Sequence, residues 1–457
     1  MQVTETRRIT IIGAGMAGTL LAVLLAQRGF KVDLFERNPD QRGGNAPAGR
    51  SINLALAERG RHALRMAGLL QTVDRFTIPM RGRMLHDIAG QLKLQPYGKD
   101  ESEVIYSTHR ALLNNAMLDA AEATGNLRLY FDHRLRDIDW DSDRLCFEDA
   151  TSKCEYRYPF DVLIGADGGG SAVRRAMQKI TDLGVSEELL EHGYRELSIP
   201  ADVNGNFRMD PHALHIWPRG GFMLIALPNA DGSFTVTLFL SNDGDPGFGR
   251  LHDWSHQLQF MRRYFPDAIP LLTSLEDEFL HNPVGLLGTI RCKRWHIEGR
   301  AALLGDAAHA VVPFHGQGMN AAFEDCVELI NILDEGAGDW QSVFEAYQER
   351  RIDNANAIAD MALENYQVMR EAVRDPRFLL RKELEHELER RHPGRFIARY
   401  SLVMFHRFPY AEAYRRGAVQ ADLLDRLLEG AASIDDVDFN LAARLVGELL
   451  AEIEEPG

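Results

Sequence analysis

Cysteine is scarce in this sequence, with four residues in a chain of 457, and no two of them form a CxxC pair. A framework of disulfide bonds, or a zinc site built on paired cysteines, is therefore excluded as the basis of the fold. We expect reduced and mostly buried thiols. The four cysteines are Cys146, Cys154, Cys292 and Cys326.

Long apolar runs are missing as well. The sequence has no stretch of about eighteen uncharged apolar residues, the length that a membrane-spanning helix requires. The first residues, MQVTETRR, lead into a short apolar strand and lack the hydrophobic region of a signal peptide. These absences predict a cytoplasmic protein without a transmembrane anchor.

Positive charge is in deficit, with 51 Lys and Arg residues against 67 Asp and Glu residues and a formal net charge of −16. Such a surface repels the phosphate backbone of nucleic acids and anionic lipids, so we expect no nucleic-acid partner. Hydrophobic residues make up 45% of the chain, enough for a substantial core. The length favours two or three domains.

Glycine is abundant, and the first glycine cluster lies in a predicted βαβ unit. RITIIG forms a strand, an apolar helix follows the turn, and KVDLFER forms a second, parallel strand. In GAGMAG, Gly13 makes the tight turn, Gly15 admits a pyrophosphate close to the backbone, and Gly18 lets helix and strand pack closely. Glu36 ends the second strand and can accept both ribose hydroxyls. The pattern predicts a dinucleotide site rather than a purely structural turn, and it leaves FAD and nicotinamide dinucleotides both open.

Two later glycine-rich segments also follow predicted strands. GADGGGSAVR places Asp167 at a strand end, although an Asp-Gly turn with Ser171 as helix N-cap explains this segment without a ligand. LLGDAAHAVVPFHGQGMN places Asp306 at another strand end and starts a helix at 318–320. An aspartate there can hold ribityl or ribose hydroxyls, and the helix N-terminus can stabilise negative charge on a reduced flavin.

The three blocks in this order, GxGxxG, GADGxxSxVR and GDAAHxxxPxxGQGMN, resemble the FAD-dependent aromatic hydroxylases related to p-hydroxybenzoate hydroxylase. The resemblance implies one tightly bound FAD, NADPH as a transient co-substrate, and activation of O2 as a flavin hydroperoxide. The lack of a second GxGxxG unit fits a transient NADPH. The implied cofactor-binding residues are Gly13, Gly15, Gly18, Glu36, Arg37, Arg110, Asp167, Asp306, Gly318, Met319 and Asn320.

Within that family the sequence is most similar to the branch that hydroxylates L-kynurenine to 3-hydroxykynurenine. The similarity runs almost from end to end and is carried by GRSINLALAERG, MRGRM, LQPYG, HALHIWP, SFTVTLFL, VPFHGQGMN, MALENY and RYSLVMF. It implies that Arg83, Tyr97 and Tyr400 hold the substrate carboxylate and that Asn365 contacts its polar end. The residues implied to line the aromatic end are Leu214, Met223, Ile225, Leu227, Phe239, Pro313, Phe314 and His315.

One part of this pocket follows from the residues alone. Met223, Ile225 and Leu227 alternate and so share one face of a strand, while Phe239 shares its face with two threonines. An apolar wall with few polar groups suits an aromatic amino acid, and the planar fork of an arginine such as Arg83 suits its carboxylate. Plain sheet core, a surface arginine and ordinary half-buried tyrosines are the alternatives for these residues.

The remaining histidines give no metal site. His252 and His256 have the spacing of zinc ligands on a helix, but charged neighbours and the lack of a third ligand favour an exposed helix. His315 has the chemistry to relay a proton, with a hydrogen-bonded structural histidine as the alternative. The predicted chemistry is centred on the flavin and assigns no catalytic side chain.

The predicted fold class is α/β. We expect a Rossmann-like FAD-binding domain of residues 1–190 and 291–345, an antiparallel β-sheet substrate domain of 191–290, and a C-terminal helical region of 346–457 that covers the active site. Two other functions stay open: a related flavoprotein hydroxylase or reductase acting on another anthranilate-like or salicylate-like acid, and a non-catalytic binding protein on the same scaffold, like the Rab GDP-dissociation inhibitors. The oligomeric state is open, a homodimer included.

Overall fold

The structure, a computed structural model, describes residues 8–43, 53–336, 338–371 and 376–453. The strands of these residues are, in chain order, β1 (Arg8–Ile12), β2 (Lys31–Phe35), β3 (Leu54–Leu56), β4 (Ile78–Met80), β5 (Gly82–His86), β6 (Leu92–Pro96), β7 (Ile105–Thr108), β8 (Leu127–Tyr130), β9 (His133–Asp139), β10 (Arg144–Asp149), β11 (Glu155–Pro159), β12 (Val162–Gly165), β13 (Ser186–Ile199), β14 (Ala213–Pro218), β15 (Met223–Pro228), β16 (Phe234–Ser241), β17 (Gly285–Arg291), β18 (His296–Ile297) and β19 (Ala301–Leu303).

The α-helices are, in the same order, α1 (Met16–Gln27), α2 (Glu58–Met66), α3 (Leu70–Val73), α4 (Arg110–Ala123), α5 (Ala172–Gln178), α6 (Trp254–Tyr264), α7 (Leu275–His281), α8 (Asp306–His309), α9 (Gly318–Asp334), α10 (Trp340–Glu371), α11 (Pro376–Arg391), α12 (Arg399–Met404), α13 (Tyr410–Leu427) and α14 (Phe439–Leu449). No helix of the described residues has both the length and the hydropathy needed to cross a membrane.

The chain divides into two compact units, each assembled from three separate segments. The first unit comprises Met1–Thr77, Thr108–Leu190 and Gly288–Ala359. The second unit comprises Ile78–Ser107, Glu191–Leu287 and Asp360–Gly457. The predicted α/β fold class is confirmed, and the domain boundaries inferred from the sequence remain a proposal.

A six-stranded sheet forms the core of the first unit, in the order β18-β19-β12-β1-β2-β8. Its strands are parallel except for the β18-β19 pair. Helix α1 connects β1 to β2, as predicted, and its buried residues cover all sides of the helix, because it is apolar all round. A short antiparallel sheet of β9, β10 and β11 also lies in this unit.

A seven-stranded sheet, in the order β17-β13-β16-β15-β14-β5-β6, runs through the second unit. One of its faces packs against α6 and α7 and includes Leu224, Ala226, Val236 and Leu238, all fully buried. Side chains alternate along each strand, so the odd-numbered residues of β15, such as Met223, lie on the opposite face. That second face carries the predicted substrate wall.

The second unit also contains the helices that follow α10. Helices α11, α13 and α14 share a core that includes Leu384, Leu388, Leu424 and Val446. Pro376 begins α11, and Pro409 is the N-cap residue of α13, so both helices start at a proline. The predicted C-terminal helical region is confirmed.

Candidate active site

The glycine-rich turn after β1 has two kinds of glycine. A Cβ at Gly13 would lie 2.5 Å from the carbonyl oxygen of Ala166, and one at Gly18 would lie 2.0 Å from the carbonyl oxygen of Gly13. Only glycine therefore allows this close packing. A Cβ at Gly15, in contrast, would have no protein atom within 4 Å. Gly15 faces open space, which is what a cradle for a pyrophosphate requires.

The predicted ribose acid also supports this turn. One oxygen of Glu36 accepts a hydrogen bond from the backbone N–H of Ala14 at 3.0 Å, and the other accepts from the N–H of Asn38 at 3.0 Å. Arg37 is exposed beside it. Glu36 is thus oriented by the protein before any ribose is present, and its role toward a ribose stays a prediction.

Asp306 is the first residue of α8 in the first unit. Its side chain is reachable by solvent, yet the protein around it raises its pKa by desolvation, with His309 and Arg110 opposing the rise. The Asp306 carboxylate is thus open to a ligand from outside the protein. Such a carboxylate suits hydroxyl groups of a ligand.

Asp167 is used by the protein itself. One of its oxygens accepts hydrogen bonds from the backbone N–H groups of Ala172 at 2.6 Å and Val173 at 3.2 Å, and the other accepts from the Ser171 hydroxyl at 2.5 Å. Ser171 in turn caps α5 by accepting from the N–H of Arg174. These contacts match the structural interpretation of this segment, an Asp-Gly turn with Ser171 as the helix N-cap. A cofactor role for Asp167 stays a prediction.

Helix α9 begins at Gly318, as predicted, and includes Met319 and Asn320 in its first turn. The Asn320 side chain is fully buried. It accepts a hydrogen bond from the N–H of Ala57 at 3.0 Å and donates to the carbonyl oxygens of Ala55 at 2.9 Å and Gly316 at 3.0 Å. Asn320 therefore fixes β3 and the residue after it to the start of α9.

The turn before α9 contains three residues of the predicted substrate pocket. Pro313, Phe314 and His315 form a short 3-10 helix that ends at Gly316, whose φ is +68°. Phe314 and His315 are buried. The turn lies in the first unit, and contact of these residues with a substrate stays a prediction.

The second unit brings six predicted pocket residues onto one face of its sheet. In the strand register Met223 lies opposite Phe239, Ile225 opposite Ile216, and Leu214 beside Arg83. Leu227 has the same parity on β15 as Met223 and Ile225. The alternation read from the sequence is therefore correct. Sequence reasoning placed Thr237 on this face with Phe239 but missed Glu196, its buried cross-strand partner.

Arg83, Tyr97 and Tyr400, which we name the Arg83 cluster, meet at the end of this face. The guanidinium carbon of Arg83 is 5.5 Å from the ring centroid of Tyr97 and 5.1 Å from that of Tyr400. The two rings are stacked with their centroids 5.8 Å apart. Three elements far apart in sequence, β5, the end of β6 and α12, thus bring the three predicted carboxylate ligands together.

Arg83 and Tyr97 each have a donor group without an acceptor among the described residues. Among the described residues, no Asp or Glu forms an ion pair with Arg83, and neither its Nε–H nor the Tyr97 hydroxyl has a hydrogen-bond partner. Burial raises the pKa of both tyrosines, so both hydroxyls stay protonated and able to donate at neutral pH. Asn365 is half-buried on α10, in the same unit. A fixed cation beside neutral donors is a site for a carboxylate.

Among the described residues, no group of three or more His, Cys, Asp or Glu side chains is arranged to hold a metal ion. His252 and His256 are both exposed, and the His256 ring pairs with Asp253, the N-cap of α6, at 2.9 Å. The candidate cofactor site lies in the glycine-rich turns of the first unit, and the candidate carboxylate site is the Arg83 cluster of the second.

The profile of the family described as "FAD binding domain" matches residues 6–362. A kynurenine 3-monooxygenase of Stenotrophomonas maltophilia (strain K279a) is 50% identical over 434 residues, which are 95% of each chain. A kynurenine 3-monooxygenase of Xanthomonas axonopodis pv. citri (strain 306) is 48% identical over 454 residues, which are 99% of each chain. The chain belongs to the kynurenine 3-monooxygenase family. The family resemblance predicted from the three glycine-rich blocks is confirmed, and FAD is its cofactor.

Solved structures of two more distant proteins share the fold of this chain. The tetrameric form of 2-methyl-3-hydroxypyridine-5-carboxylic acid oxygenase aligns with a TM-score of 0.66 at 20% identity, covering 82% of this chain and 96% of that one. P. aeruginosa PqsL in complex with 2-aminobenzoylacetate aligns with a TM-score of 0.65 at 19% identity, covering 80% of this chain and 96% of that one.

Proposed function

We propose that the protein catalyses the FAD-dependent hydroxylation of L-kynurenine to 3-hydroxykynurenine, consuming NADPH and O2. The observation that carries the substrate assignment is the Arg83 cluster, a guanidinium without an acidic partner among the described residues, flanked by two protonated tyrosines. An amino acid brings the carboxylate that this cluster lacks. FAD, when bound, supplies the redox chemistry that activates oxygen.

The protein's own residues bind and orient in this proposal. Arg83 donates to the substrate carboxylate, Tyr97 and Tyr400 add hydroxyl donors, and Asn365 contacts the same polar end. The apolar face around Met223 and Phe239 holds the aromatic ring and excludes water. No side chain forms a covalent bond with the substrate.

The cofactor end of the proposal uses the first unit. The Gly15 turn would receive the pyrophosphate, Glu36 and Arg37 the ribose side, and Asp306 the ribityl or ribose hydroxyls. Arg110 lies close enough to Asp306 to influence its pKa and would face phosphate charge. The N-terminus of α9 at Gly318 would stabilise negative charge on the reduced cofactor.

The C-terminal helical region, residues 346–457, would cover the substrate, since α12 supplies Tyr400 to the Arg83 cluster. The proposal includes two further domains. They are a discontinuous FAD-binding domain of residues 1–190 and 291–345 and a substrate domain of 191–290. A variant shortened after residue 375 should stay yellow yet release hydrogen peroxide in place of hydroxylated product. A shortened variant that still couples NADPH oxidation to hydroxylation would overturn the covering role.

The decisive experiment combines the visible spectrum with NADPH oxidation. The purified protein should show a flavin spectrum, and L-kynurenine should stimulate both NADPH oxidation and formation of 3-hydroxykynurenine, measured by chromatography. Equal stimulation and hydroxylation with anthranilate or salicylate would favour the broader hydroxylase alternative, and a colourless protein that takes up no FAD would favour the binding-protein alternative. Cell fractionation and gel filtration test the remaining expectations of a cytoplasmic location and of a homodimer.

A further inference from the structure

A single carboxylate in α9 accepts three hydrogen bonds in the interior of the first unit. Asp325 is fully buried. Its Oδ2 accepts from the backbone N–H of Gly305 at 3.0 Å and lies 2.6 Å from Nε2 of His309. Its Oδ1 accepts from Nε–H of Arg351 at 2.7 Å. No role for Asp325 follows from the sequence, and the proposed reaction does not use it.

The two groups bound to Oδ2 bracket α8, the short helix that carries Asp306. Gly305 precedes Asp306 with φ +61° and ψ −140°, a conformation that favours glycine. His309 is the last residue of α8, and its ring stacks on Trp295 with centroids 4.9 Å apart and an interplanar angle of 26°. One carboxylate therefore fixes both ends of the turn that carries Asp306.

We infer that Asp325 is a positioning residue for FAD, holding the turn of residues 305–309 so that Asp306 meets the cofactor's hydroxyl groups. The inference rests on the role of Asp306 in the proposed function. Arg351 makes the burial of Asp325 possible, because its guanidinium also pairs with Glu324 at 2.5 Å, and each buried charge has a partner.

A carboxylate suits this position because the Gly305 N–H and the Arg351 Nε–H are fixed donors to its two oxygens, and His309 pairs with it in the tautomer that has a proton on Nε2. An asparagine has one acceptor oxygen, and its amide nitrogen is a donor. In Asp325→Asn that nitrogen would face either Arg351 or the pair of Gly305 and His309, so one side of the site would lose its hydrogen bond. The turn would then no longer be held in one geometry.

The experiment compares FAD affinity with stability in three variants. The first is Asp325→Asn, and the matched control is Glu324→Gln, which removes one charge from the same ion network but whose own bonds go to Arg59 and Arg351. The third is His309→Phe, which keeps a ring against Trp295 and lacks the bond to Asp325. The Kd for FAD is measured by titrating apoprotein and following flavin fluorescence, and the unfolding midpoint of each apoprotein is measured in parallel.

We expect Asp325→Asn to raise the Kd for FAD at least tenfold and His309→Phe at least threefold. Glu324→Gln should lower the unfolding midpoint like Asp325→Asn and leave the Kd within twofold of the parent value. Parallel loss of FAD affinity in Glu324→Gln, or a Kd within twofold of the parent in Asp325→Asn, would overturn the inference. If Asp325→Asn does not fold, His309→Phe is the test. An increase of its Kd for FAD of at least threefold supports the inference, and a Kd within twofold of the parent value overturns it. Kynurenine-stimulated NADPH oxidation by the parent protein tests the proposed function separately.

Discussion

Arg351 in the first unit and Arg83 in the second are both enclosed by protein, and their surroundings differ in one respect. Arg351, 2% exposed at its side chain, pairs with the two carboxylates of Glu324 and Asp325. Arg83 has two tyrosine rings against its guanidinium and no acidic partner within the described part of the chain. Carboxylates of the protein balance the charge of Arg351, whereas the charge of Arg83 is available to bind an anionic ligand.

This difference separates a structural from a binding arginine. An arginine cannot lose its proton inside a protein, so its charge must be balanced from somewhere. Removing one partner of a buried ion pair leaves an uncompensated charge and destabilises the fold strongly. Removing a cation that has no acidic partner leaves no such charge behind, and the loss then appears in ligand binding.

The largest effect is expected at Arg351. Replacing Arg351 with Met leaves Asp325 buried without a cation and should lower the free energy of unfolding by about 3–5 kcal/mol. Urea unfolding at saturating FAD gives this value. The neighbouring Arg350, which is 40% exposed and pairs with Glu335 at the surface, is the matched control, and Arg350→Met should cost less than about 1 kcal/mol. Equal losses in the two variants would remove the structural role assigned to Arg351.

The next largest effect is expected at Arg83. Arg83→Met should raise KM for L-kynurenine about 100-fold, or about 3 kcal/mol, because a charge-assisted bond to the carboxylate is lost. The Kd for FAD and the unfolding midpoint should stay unchanged. Arg81, exposed two residues earlier, provides the control, and Arg81→Met should leave KM within twofold. Destabilisation of Arg83→Met as large as that of Arg351→Met, with KM unchanged, would make both arginines structural.

The sequence was sufficient where the structure is built from neighbours in the chain. Strand β1, the turn with Gly13 and helix α1 follow from a β-branched run, a glycine pattern and an apolar helix within about twenty residues. The alternation of Met223, Ile225 and Leu227 was likewise readable, because strand geometry fixes which residues share a face.

Contacts between residues that are far apart in the sequence could not be predicted from such local patterns. Strand β5 joins the second unit's sheet by pairing with β14, so Arg83 lies beside Leu214, 131 positions later, and no local pattern records that pairing. Asp325 looked like an ordinary helix residue because its partners come from α8 and from Arg351 in α10. The Arg83 cluster was found only through the family resemblance, since a surface arginine was the better local interpretation.

A buried carboxyl group has a third way to avoid an unbalanced charge, because it can bind a proton and become neutral. Glu389 on α11 is 3% exposed. Burial and the adjacent Glu103 carboxylate raise its pKa from 4.5 to about 7, while Lys99 opposes the rise and Glu385 adds to it. Below this pKa the folded protein therefore holds a proton that the unfolded chain releases above about pH 4.5.

Stability should accordingly fall as the pH rises from about 4.5 to 7 and level off above that range, because the unfolded state binds fewer protons there. At about 1.4 kcal/mol per pKa unit, the upper bound of this loss is about 3.5 kcal/mol. Glu389→Gln removes the titration, so its unfolding midpoint should exceed that of the parent increasingly from pH 5 to pH 8. Glu383→Gln, at an exposed position on the same helix, should follow the parent throughout. A pH-independent difference between Glu389→Gln and the parent would contradict the assignment.

The smallest effect is expected at Tyr97, whose hydroxyl has no hydrogen-bond partner in the described residues. Tyr97→Phe should weaken L-kynurenine binding about fivefold to tenfold, about 1 kcal/mol, and leave the unfolding midpoint unchanged or slightly raised. Tyr156 is the opposite case, since its hydroxyl lies 3.0 Å from Nδ1 of His133. Tyr156→Phe should lower stability slightly and leave KM unchanged. If Tyr97→Phe instead costs stability and not binding, its hydroxyl serves the fold, and the Arg83 cluster loses one of its two neutral donors to the substrate.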